Sequence, residues 1–318
     1  MRTRHAFWHA VTAITVGLLV ACTSIGSRPA VKAPATIDSL VTTEWLSRHL
    51  GEPDLVVLDC TVRVERGQDG GLQVISGRAD FESGHIPTAG FADLMGELAD
   101  GSSQYRFAVP APDRFAAAMA ALGVGDGSRV VLYSGNDPGW AARVWWMLRW
   151  IGFDRAALLD GGLKAWSAEG RPLSTEPADR PARRLTVSLR PELIADRDEV
   201  RAAIGNEAVT LVDSLPEASF QGTFALYGRA GHIPGAINIP APSLVDELGH
   251  YLPQEQLAAM HGGDRGGWVI TYCGGGIAAS SGAFIMTRLG FTNVAVYMAS
   301  LQEWVADPAN PMEVSTPE

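Results

Sequence analysis

The chain of 318 residues carries the same order of features twice, and such a repeat restricts the folds that it can adopt. In each half, a short apolar segment ends in an aspartate, and the sequence Gly-His-Ile-Pro follows it. Further along, each half has a Gly-Phe pair and, at the same distance from it, a tryptophan. The matched residues are Asp59 and Asp213, His85 and His232, Gly152 and Gly290, and Trp166 and Trp304. The repeat therefore predicts two copies of one domain.

Each copy alternates short β-branched segments with helical stretches. This alternation predicts an α/β fold in which each domain is a parallel sheet covered by helices on both faces. Hydrophobic residues make up 47% of the chain and charged residues 19%, which is typical of globular proteins. A segment with two prolines and several charges separates the copies. We therefore expect domain 1 at residues 38–175, a linker at 176–189 and domain 2 at 190–318.

The beginning of the chain has the pattern of an export signal. A short positively charged region precedes an apolar run from residue 10 to 21, which is shorter than the roughly 20 residues that span a bilayer. The run ends in Leu-Val-Ala-Cys22, which resembles a bacterial lipobox. We expect residues 1–22 to be a lipoprotein signal peptide, with lipid on Cys22, and residues 23–37 to be a tether. The alternative is an ordinary signal peptide with an incidental cysteine.

This signal also predicts where the protein is located. Lipid on Cys22 would attach the protein to a membrane of the bacterial cell envelope, with its domains facing the periplasm. Thr23 follows the cysteine in place of an aspartate, so retention in the inner membrane is not indicated. In a Gram-negative cell we therefore expect the outer membrane.

Composition excludes several classes of function. The chain has 35 acidic and 25 basic residues and a net charge of −10, so it lacks the basic surface that nucleic-acid binding requires. Its 3 cysteines do not suffice for a disulfide scaffold, and no Cys-x-x-Cys pair indicates a structural zinc site. We expect no nucleic acid, no metal and no cofactor.

Cys273 is the residue whose surroundings most favour chemistry. An apolar strand leads directly into Cys273 and three glycines, and a helix is expected to start around Ile277 or Ala278. In an α/β sheet this places the thiol at the carboxyl end of a strand, where ligands bind. Successive backbone amides in such a loop form a cradle for an anion, and thiols at helix N-termini become nucleophilic because their pKa is lowered. The predicted cradle consists of the amides of Gly274, Gly275, Gly276, Ile277 and Ala278.

Two chemistries use a cysteine in such a loop. Cysteine-dependent phosphatases and arsenate reductases need an arginine that binds the oxyanion in a bidentate manner. Here Ala279 stands in that place, and no basic residue follows the cysteine before Arg288. Sulfur transfer needs no arginine in the loop, because backbone amides can stabilise the anionic sulfur. The residues therefore favour sulfur transfer, and phosphatase or arsenate reductase activity is the weaker alternative.

The chain resembles the two-domain rhodanese family, which comprises thiosulfate and 3-mercaptopyruvate sulfurtransferases. The resemblance covers nearly all of residues 38 to 306. It is carried by Cys273, Gly276 and Ala279 in a Cys-x-x-Gly-x-x-Ala pattern, and by the segments 211–213, 232–238, 143–146 and 159–162.

The resemblance implies tandem rhodanese-like domains, of which only the second is catalytic. Ser134 occupies the place of Cys273 in the first domain, which fits a domain without activity. Cys273 would take a sulfane sulfur from a small anionic donor, thiosulfate or 3-mercaptopyruvate, and pass it as a persulfide to cyanide or a thiol.

The sequence departs from the family where the donor is expected to bind. Leu215 stands where the family often has an arginine, and Gly274-Gly275 matches neither the thiosulfate-type nor the mercaptopyruvate-type loop fully. The turn at residues 298–301 is also altered. An anionic donor still needs a cation, for which Arg229 is the first candidate. Arg63, Arg66 and Arg78 are weaker candidates from the first domain.

Other residues have structural interpretations. Asp213 and His232 have counterparts in the first domain, so we expect them to support turns and not to act as acid or base. Cys60 follows an apolar strand and is expected to be buried and inert, although its pairing with Cys273 stays open. The rival hypothesis from another class is a sulfur-carrier or scaffold lipoprotein that does not turn over.

Overall fold

Two five-stranded parallel sheets organise the computed structural model, which describes residues 36–66, 72–176, 178–225 and 227–315. The predicted signal peptide and the predicted lipid site at Cys22 lie outside the described residues, as does most of the predicted tether. Within the described ranges, no helix is both long enough and apolar enough to cross a membrane.

The two sheets have the same topology. The strands are β1 (Leu40–Val41), β2 (Leu55–Asp59), β3 (Val62–Arg66), β4 (Leu72–Ser76), β5 (Ala89–Phe91), β6 (Arg129–Tyr133), β7 (Ala156–Leu159), β8 (Ile194–Ala195), β9 (Val209–Asp213), β10 (Ile237–Asn238), β11 (Trp268–Tyr272) and β12 (Asn293–Tyr297). The first sheet has the order β1-β7-β6-β2-β5, and the second has the matching order β8-β12-β11-β9-β10. All pairs within both sheets are parallel. The predicted tandem α/β fold is therefore confirmed.

Ten α-helices connect these strands in the described residues. They are α1 (Thr43–His49), α2 (Arg78–Ser83), α3 (Pro112–Ala121), α4 (Pro138–Trp150), α5 (Gly162–Ala168), α6 (Arg197–Ala203), α7 (Glu217–Phe220), α8 (Gln254–Met260), α9 (Ile277–Arg288) and α10 (Ser300–Trp304). Local sequence explains several starts. For example, Asp137 caps α4 by accepting from the Gly139 amide at 2.7 Å, and the first helical residue is a proline, which needs no hydrogen bond there.

The repeat-related helices α4 and α9 pack against each other and join the domains. Nearly every residue of α4 is buried, as expected for a helix that is covered on all sides. The Trp145 and Phe284 rings meet edge to face, with centroids 4.9 Å apart. The Trp146 indole donates to the Leu193 carbonyl of the second domain at 2.7 Å. Because each helix follows the loop at the end of its central strand, this packing brings both loops to the domain boundary.

An antiparallel hairpin, β3–β4, is added to the first domain and has no counterpart in the described part of the second. Its sequence alternates apolar and charged residues, which is the pattern of a strand with one covered face. Val64 and Val74 pair directly across the hairpin. These two valines face the boundary between the domains, where they line the cavity described below.

The linker is exposed but lies along the surface of the first domain. The Ser188 amide donates to the Ile151 carbonyl at 2.8 Å, and the Thr186 amide donates to a carboxylate oxygen of Asp126 at 2.6 Å. These bonds hold the linker beside Gly152, the glycine that follows α4.

A matched pair of glycines tests this packing. Gly152 and Gly290 occupy equivalent places after α4 and α9, with φ of 91° and 90°. A Cβ on Gly152 would lie 2.5 Å from the Ser188 carbonyl oxygen, whereas a Cβ on Gly290 would meet nothing within 4 Å. We expect Gly290→Ala to lower the free energy of unfolding by about 1–2 kcal/mol, which is the cost of placing a residue with a side chain in the left-handed backbone conformation.

Gly152→Ala should lower the free energy of unfolding by more, because the added methyl group must also displace the linker at Ser188. Urea-induced unfolding of both variants measures the difference. Equal losses would contradict the account of linker packing.

Candidate active site

Cys273 immediately follows β11 and is buried, with 2% of its surface exposed. Its amide donates to the Ser300 hydroxyl oxygen at 3.1 Å, and its carbonyl accepts from the Leu301 amide at 3.0 Å. Ser300 has a φ of 53°, and its hydroxyl also donates to the Tyr297 carbonyl at 2.6 Å. The altered turn at residues 298–301 therefore still holds the backbone of the cysteine in place.

The three glycines form a loop that turns amides towards the sulfur. Gly276 adopts the left-handed conformation, with a φ of 82°, and its amide donates to Cys273 Sγ at 3.2 Å. Helix α9 begins at Ile277, as the sequence predicted, so its first amides have no partner within the helix. Among the described residues, the amides of Gly274, Gly275, Ile277 and Ala278 have no protein acceptor. The arrangement is that of an anion site at a helix N-terminus.

Tyr227 explains why the residue after the cysteine is a glycine. A Cβ on Gly274 would overlap the hydroxyl and ring of Tyr227, so no other residue fits without displacement of the tyrosine. Burial and the neighbouring Cys273 raise the pKa of the Tyr227 hydroxyl well above its usual value, so this hydroxyl is a neutral donor. Sequence reasoning missed Tyr227, because nothing local to residue 227 indicates its contact with the loop.

A cavity of about 710 Å³ opens in front of Cys273 between the two domains. Its walls are mostly apolar and aromatic. They include Val64, Val74, Tyr105, Phe107, Trp140, Leu215, Phe224, Tyr227, Ile277 and Ala278. Among its described lining residues, Arg106 is the one cation and Asp137 the one anion, and Asp137 is committed to capping α4. The site therefore combines an anion cradle with a largely hydrophobic wall.

Arg106 reaches the cavity on a loop of the first domain that the second domain holds. The Gln302 side chain accepts from the Arg106 amide at 3.0 Å and donates to the Arg106 carbonyl at 2.9 Å. Within the described residues, Arg106 has no carboxylate partner. Its guanidinium is thus available to an anionic ligand. Sequence reasoning missed Arg106, because the bonds that place it join residues almost two hundred positions apart.

The structure does not bring the predicted arginines to the cavity. Arg229 donates to the carbonyls of Asp307 and Asn310, at 3.3 and 2.9 Å, and so binds the C-terminal segment. Arg63 precedes the cavity-lining Val64, and adjacent strand residues point to opposite faces. Its guanidinium accordingly pairs with carboxylates away from the cavity.

The candidate arginines of the first domain also have partners away from the cavity. Arg63 pairs with Glu65 at 2.6 Å, and Arg78 lies 3.7 Å from Asp93 and over the Phe91 ring. The side chain of Arg66 lies outside the described part of the chain. Arg106 therefore replaces Arg229, Arg63 and Arg78 as the candidate that binds the donor.

Arg143, on α4 of the first domain, lies behind the cysteine loop and is fully buried. Its guanidinium contacts Gly276, so that a Cβ at Gly276 would collide with it. Burial lowers the pKa of Arg143 to about 10, although the nearby Cys273 opposes this effect. The side chain is therefore still charged at neutral pH. The sequence identified Arg143 only as part of a family motif.

The side chains of His232 and Asp213 lie beside the site and form hydrogen bonds with backbone groups. The His232 ring stacks on Phe220 and donates from Nδ1 to the Phe220 carbonyl at 2.7 Å. His85 makes the same contacts with Phe81, at the same hydrogen-bond length. This symmetry between the domains fits a role in a turn.

The aspartates are similarly matched between the domains. Asp213 accepts from the Leu215 amide at 2.8 Å, and Asp59 accepts from the Thr61 amide at 2.8 Å. Burial raises the pKa of Asp213 to about 6. Neither carboxylate lines the cavity.

The equivalent loop of the first domain has no such cavity. Its Ser134 hydroxyl donates to the Asn136 side chain at 2.9 Å, and the space beside it measures about 10 Å³. Cys60 is also buried in this domain, and burial raises the pKa of its thiol well above the usual value. Both described cysteines are free thiols. Of the two, Cys273 alone lines the cavity.

Comparisons with known proteins place this fold and site in a family. A model of the rhodanese-like domain matches residues 42–169 and 196–307. A probable 3-mercaptopyruvate sulfurtransferase from Pseudomonas aeruginosa is 33% identical over 86% of this chain and 97% of its own length. The thiosulfate sulfurtransferase of Gallus gallus is 32% identical, covering 84% of this chain and 93% of its own length.

A solved structure agrees with these relatives. The crystal structure of SseA from Escherichia coli, described as a 3-mercaptopyruvate sulfotransferase with the rhodanese fold, superposes with a TM-score of 0.73. The match has 28% identity and covers 83% of this chain and 99% of that one. Because both halves match the domain model and the relatives align over nearly their full lengths, the chain belongs to the rhodanese family of sulfurtransferases, with two rhodanese-like domains in tandem.

Proposed function

We propose that this enzyme carries sulfane sulfur on Cys273 as a persulfide. The observation that carries the proposal is the buried Cys273 sulfur beside free helix-terminal amides at the base of the interdomain cavity. The amides of Gly274, Gly275, Gly276, Ile277 and Ala278 stabilise the anionic sulfur in both states of the cysteine. Among the described lining residues, the first domain supplies a wall of the cavity and no second thiol.

The reaction proceeds in two half-reactions. The Cys273 thiolate attacks the outer sulfur of the donor, and a sulfur–sulfur bond forms on the enzyme. The bond from that sulfur to the rest of the donor breaks, and its electron pair leaves with sulfite or with the enolate of pyruvate, which takes up the proton of the donor thiol. An acceptor thiolate or cyanide then attacks the outer sulfur of the persulfide and restores the Cys273 thiolate. No external oxidant is needed.

The cavity favours 3-mercaptopyruvate over thiosulfate as the donor. Thiosulfate is a compact dianion, and a largely apolar wall with one available cation compensates its desolvation poorly. 3-Mercaptopyruvate has one carboxylate for Arg106 and a carbon skeleton for the apolar wall. Leu215, in place of a family arginine, removes a cation that a dianion would need.

A phosphatase or arsenate reductase is a poor fit to the same geometry. Such an enzyme needs a bidentate arginine in the loop, and the corresponding Ala279 is fully buried and apolar. A sulfur carrier without turnover would need the same cradle of amides as an enzyme. A measurement of turnover is therefore required to distinguish the two hypotheses.

We also propose that the mature protein is a lipoprotein facing the periplasm. The support is the apolar run that ends at Cys22 in a lipobox-like sequence, followed by a Ser-, Pro- and Ala-rich stretch of tether composition. Lipid chains would supply the membrane attachment that a net charge of −10 cannot supply electrostatically.

The proposed function predicts turnover. The soluble domains should form thiocyanate from 3-mercaptopyruvate and cyanide, with a higher kcat/KM than from thiosulfate. Cys273→Ala should abolish turnover, whereas Cys60→Ala, the matched change at the other described cysteine, should retain it. A colorimetric thiocyanate assay measures both. Full turnover in Cys273→Ala would exclude the persulfide mechanism, and persulfide formation without turnover would favour the carrier.

A further prediction concerns the loop glycines. Gly274→Ala must displace Tyr227 and the loop, so we expect kcat/KM to fall by about 10²-fold, as for a misplacement of roughly 1 Å. Gly275→Ala places its Cβ 3.2 Å from the Gln302 side-chain nitrogen, a contact that a small shift relieves, and should cost far less. Steady-state kinetics of the two variants test this order. The reverse order would contradict the geometry of the cradle.

Another prediction concerns the lipid. When the full chain is produced in a Gram-negative host, mass spectrometry of the mature protein should find diacylglycerol on Cys22, and the protein should fractionate with membranes. Cys22→Ala should abolish both, while Cys60→Ala should change neither. Unchanged processing and membrane association in Cys22→Ala would count against lipidation.

A further inference from the structure

We propose that Arg143 is the counter-ion of the anionic sulfur on Cys273, supplied by the first domain from behind the loop. The inference rests on the proposed persulfide function and adds a positioning residue that contacts the loop without lining the cavity. It explains how a loop without basic side chains can hold a negative charge through a catalytic cycle.

The surroundings of Arg143 leave its charge unbalanced by protein carboxylates. The side chain is 0% exposed, and within the described residues no carboxylate lies within ion-pair distance of it. Its Nε has no hydrogen-bond partner. Burying an unpaired guanidinium is costly, so a compensating anion is expected nearby.

The cysteine loop is what the guanidinium contacts. Its Nη1 meets Met298 Sδ and packs against Gly276, whose amide in turn donates to Cys273 Sγ at 3.2 Å. Gly276 is therefore the single residue between the cation and the sulfur. The left-handed φ of Gly276 and its missing Cβ are what permit this approach.

The first domain is shaped to hold the guanidinium there. Arg143 Nη2 donates to the Phe107 carbonyl at 2.5 Å. Phe107 has a φ of 57°, a conformation that is costly for a bulky residue and persists only where its surroundings impose it. The loop that carries Phe107 thus turns its carbonyl to Arg143 and its ring to the cavity, beside Trp140.

The proposed role suits both half-reactions. The thiolate and the persulfide each carry one negative charge at nearly the same place, so a fixed cation stabilises both. The electron pair of the broken donor bond leaves with the donor fragment, and the transferred sulfur, as the outer sulfur of the persulfide, carries the negative charge until the acceptor removes it. Other ionisable groups near the sulfur are the Tyr227 hydroxyl at Gly274, Tyr272 on the same strand with Asp213 on the neighbouring strand, and Arg106 and Asp137 in the cavity lining. Of these described groups, Arg106 is the one cation; it lines the open cavity, whereas Arg143 is fully buried behind the loop.

The test compares three variants on helix α4. Arg143→Met should slow the alkylation of Cys273 by iodoacetamide at neutral pH by roughly tenfold or more. A close opposite charge changes the ratio of the charged to the neutral form of a group by at least about that factor. The Arg143→Met substitution should also reduce the ultraviolet absorbance of the thiolate. Arg143→Lys keeps the charge and should restore most of both signals. Arg149→Met is the matched control, because Arg149 pairs with Asp154 and should leave both signals unchanged.

A second measurement needs no substitution at Arg143. Cys273 in the unaltered protein is converted either to the anionic persulfide or to the neutral methyl disulfide. The methyl disulfide form should melt at a lower temperature, because it leaves Arg143 buried without a counter-ion. Equal melting temperatures, or an alkylation rate in folded Arg143→Met equal to that of the unaltered protein, would overturn the proposal.

Neither readout depends on turnover, so each separates this proposal from the proposed function. A protein that fails to transfer sulfur but shows the charge effect would contradict the function alone. Turnover without the charge effect would contradict the role of Arg143 alone.

Discussion

The packing of α4 against α9 is the interaction on which the site depends. It joins the repeat-related helices of the two domains through the Trp145–Phe284 contact and a nearly fully buried α4. Because each helix begins at the loop that ends its central strand, their contact fixes the Cys273 loop against the first domain. The cavity, the Arg106 loop and the buried Arg143 all lie on this boundary. A catalytic domain without its partner would lack one wall and every cation near the sulfur that the described residues provide.

The charge distribution follows from this arrangement. A chain with a net charge of −10 must still stabilise an anionic sulfur and admit an anionic donor. The groups available for this are the free amides of the loop, one arginine at the cavity and one arginine behind the loop. Arg143 is buried in a weakly polar environment, where a charge acts more strongly than an exposed charge such as that of Arg106. The first domain, which has Ser134 in place of a thiol, supplies both of these arginines.

The sequence predicted those features that depend on local pattern or on the repeat. These include the tandem parallel sheets, the loop at Cys273, the start of α9 at Ile277 and the matched turns of His85 and His232. The β3–β4 hairpin was missed, although the alternation of apolar and charged residues at 62–66 was a usable pattern. The repeat gives no indication of this hairpin, because it has no counterpart in the described part of the second half.

The cations could not be assigned from sequence, because long-range contacts place them. Arg106 is held by Gln302, and Arg143 meets Gly276 only after the two domains have packed. The usable indication for Arg143 was a charged residue in the middle of a helix that has no other charged residue before Arg149 in its last turn. The proximity of Arg229 to His232 in sequence predicts a place at the site, but carbonyls of the C-terminal segment bind its guanidinium.

The most direct test of the central claim is the mass of the protein after a single exposure to donor. The soluble domains are incubated with 3-mercaptopyruvate, without acceptor, and analysed by intact-mass and peptide mass spectrometry. The account predicts one added sulfur atom, located on Cys273, which a thiol acceptor then removes. Absence of any added sulfur in the folded protein, or its location on Cys60, would contradict the account.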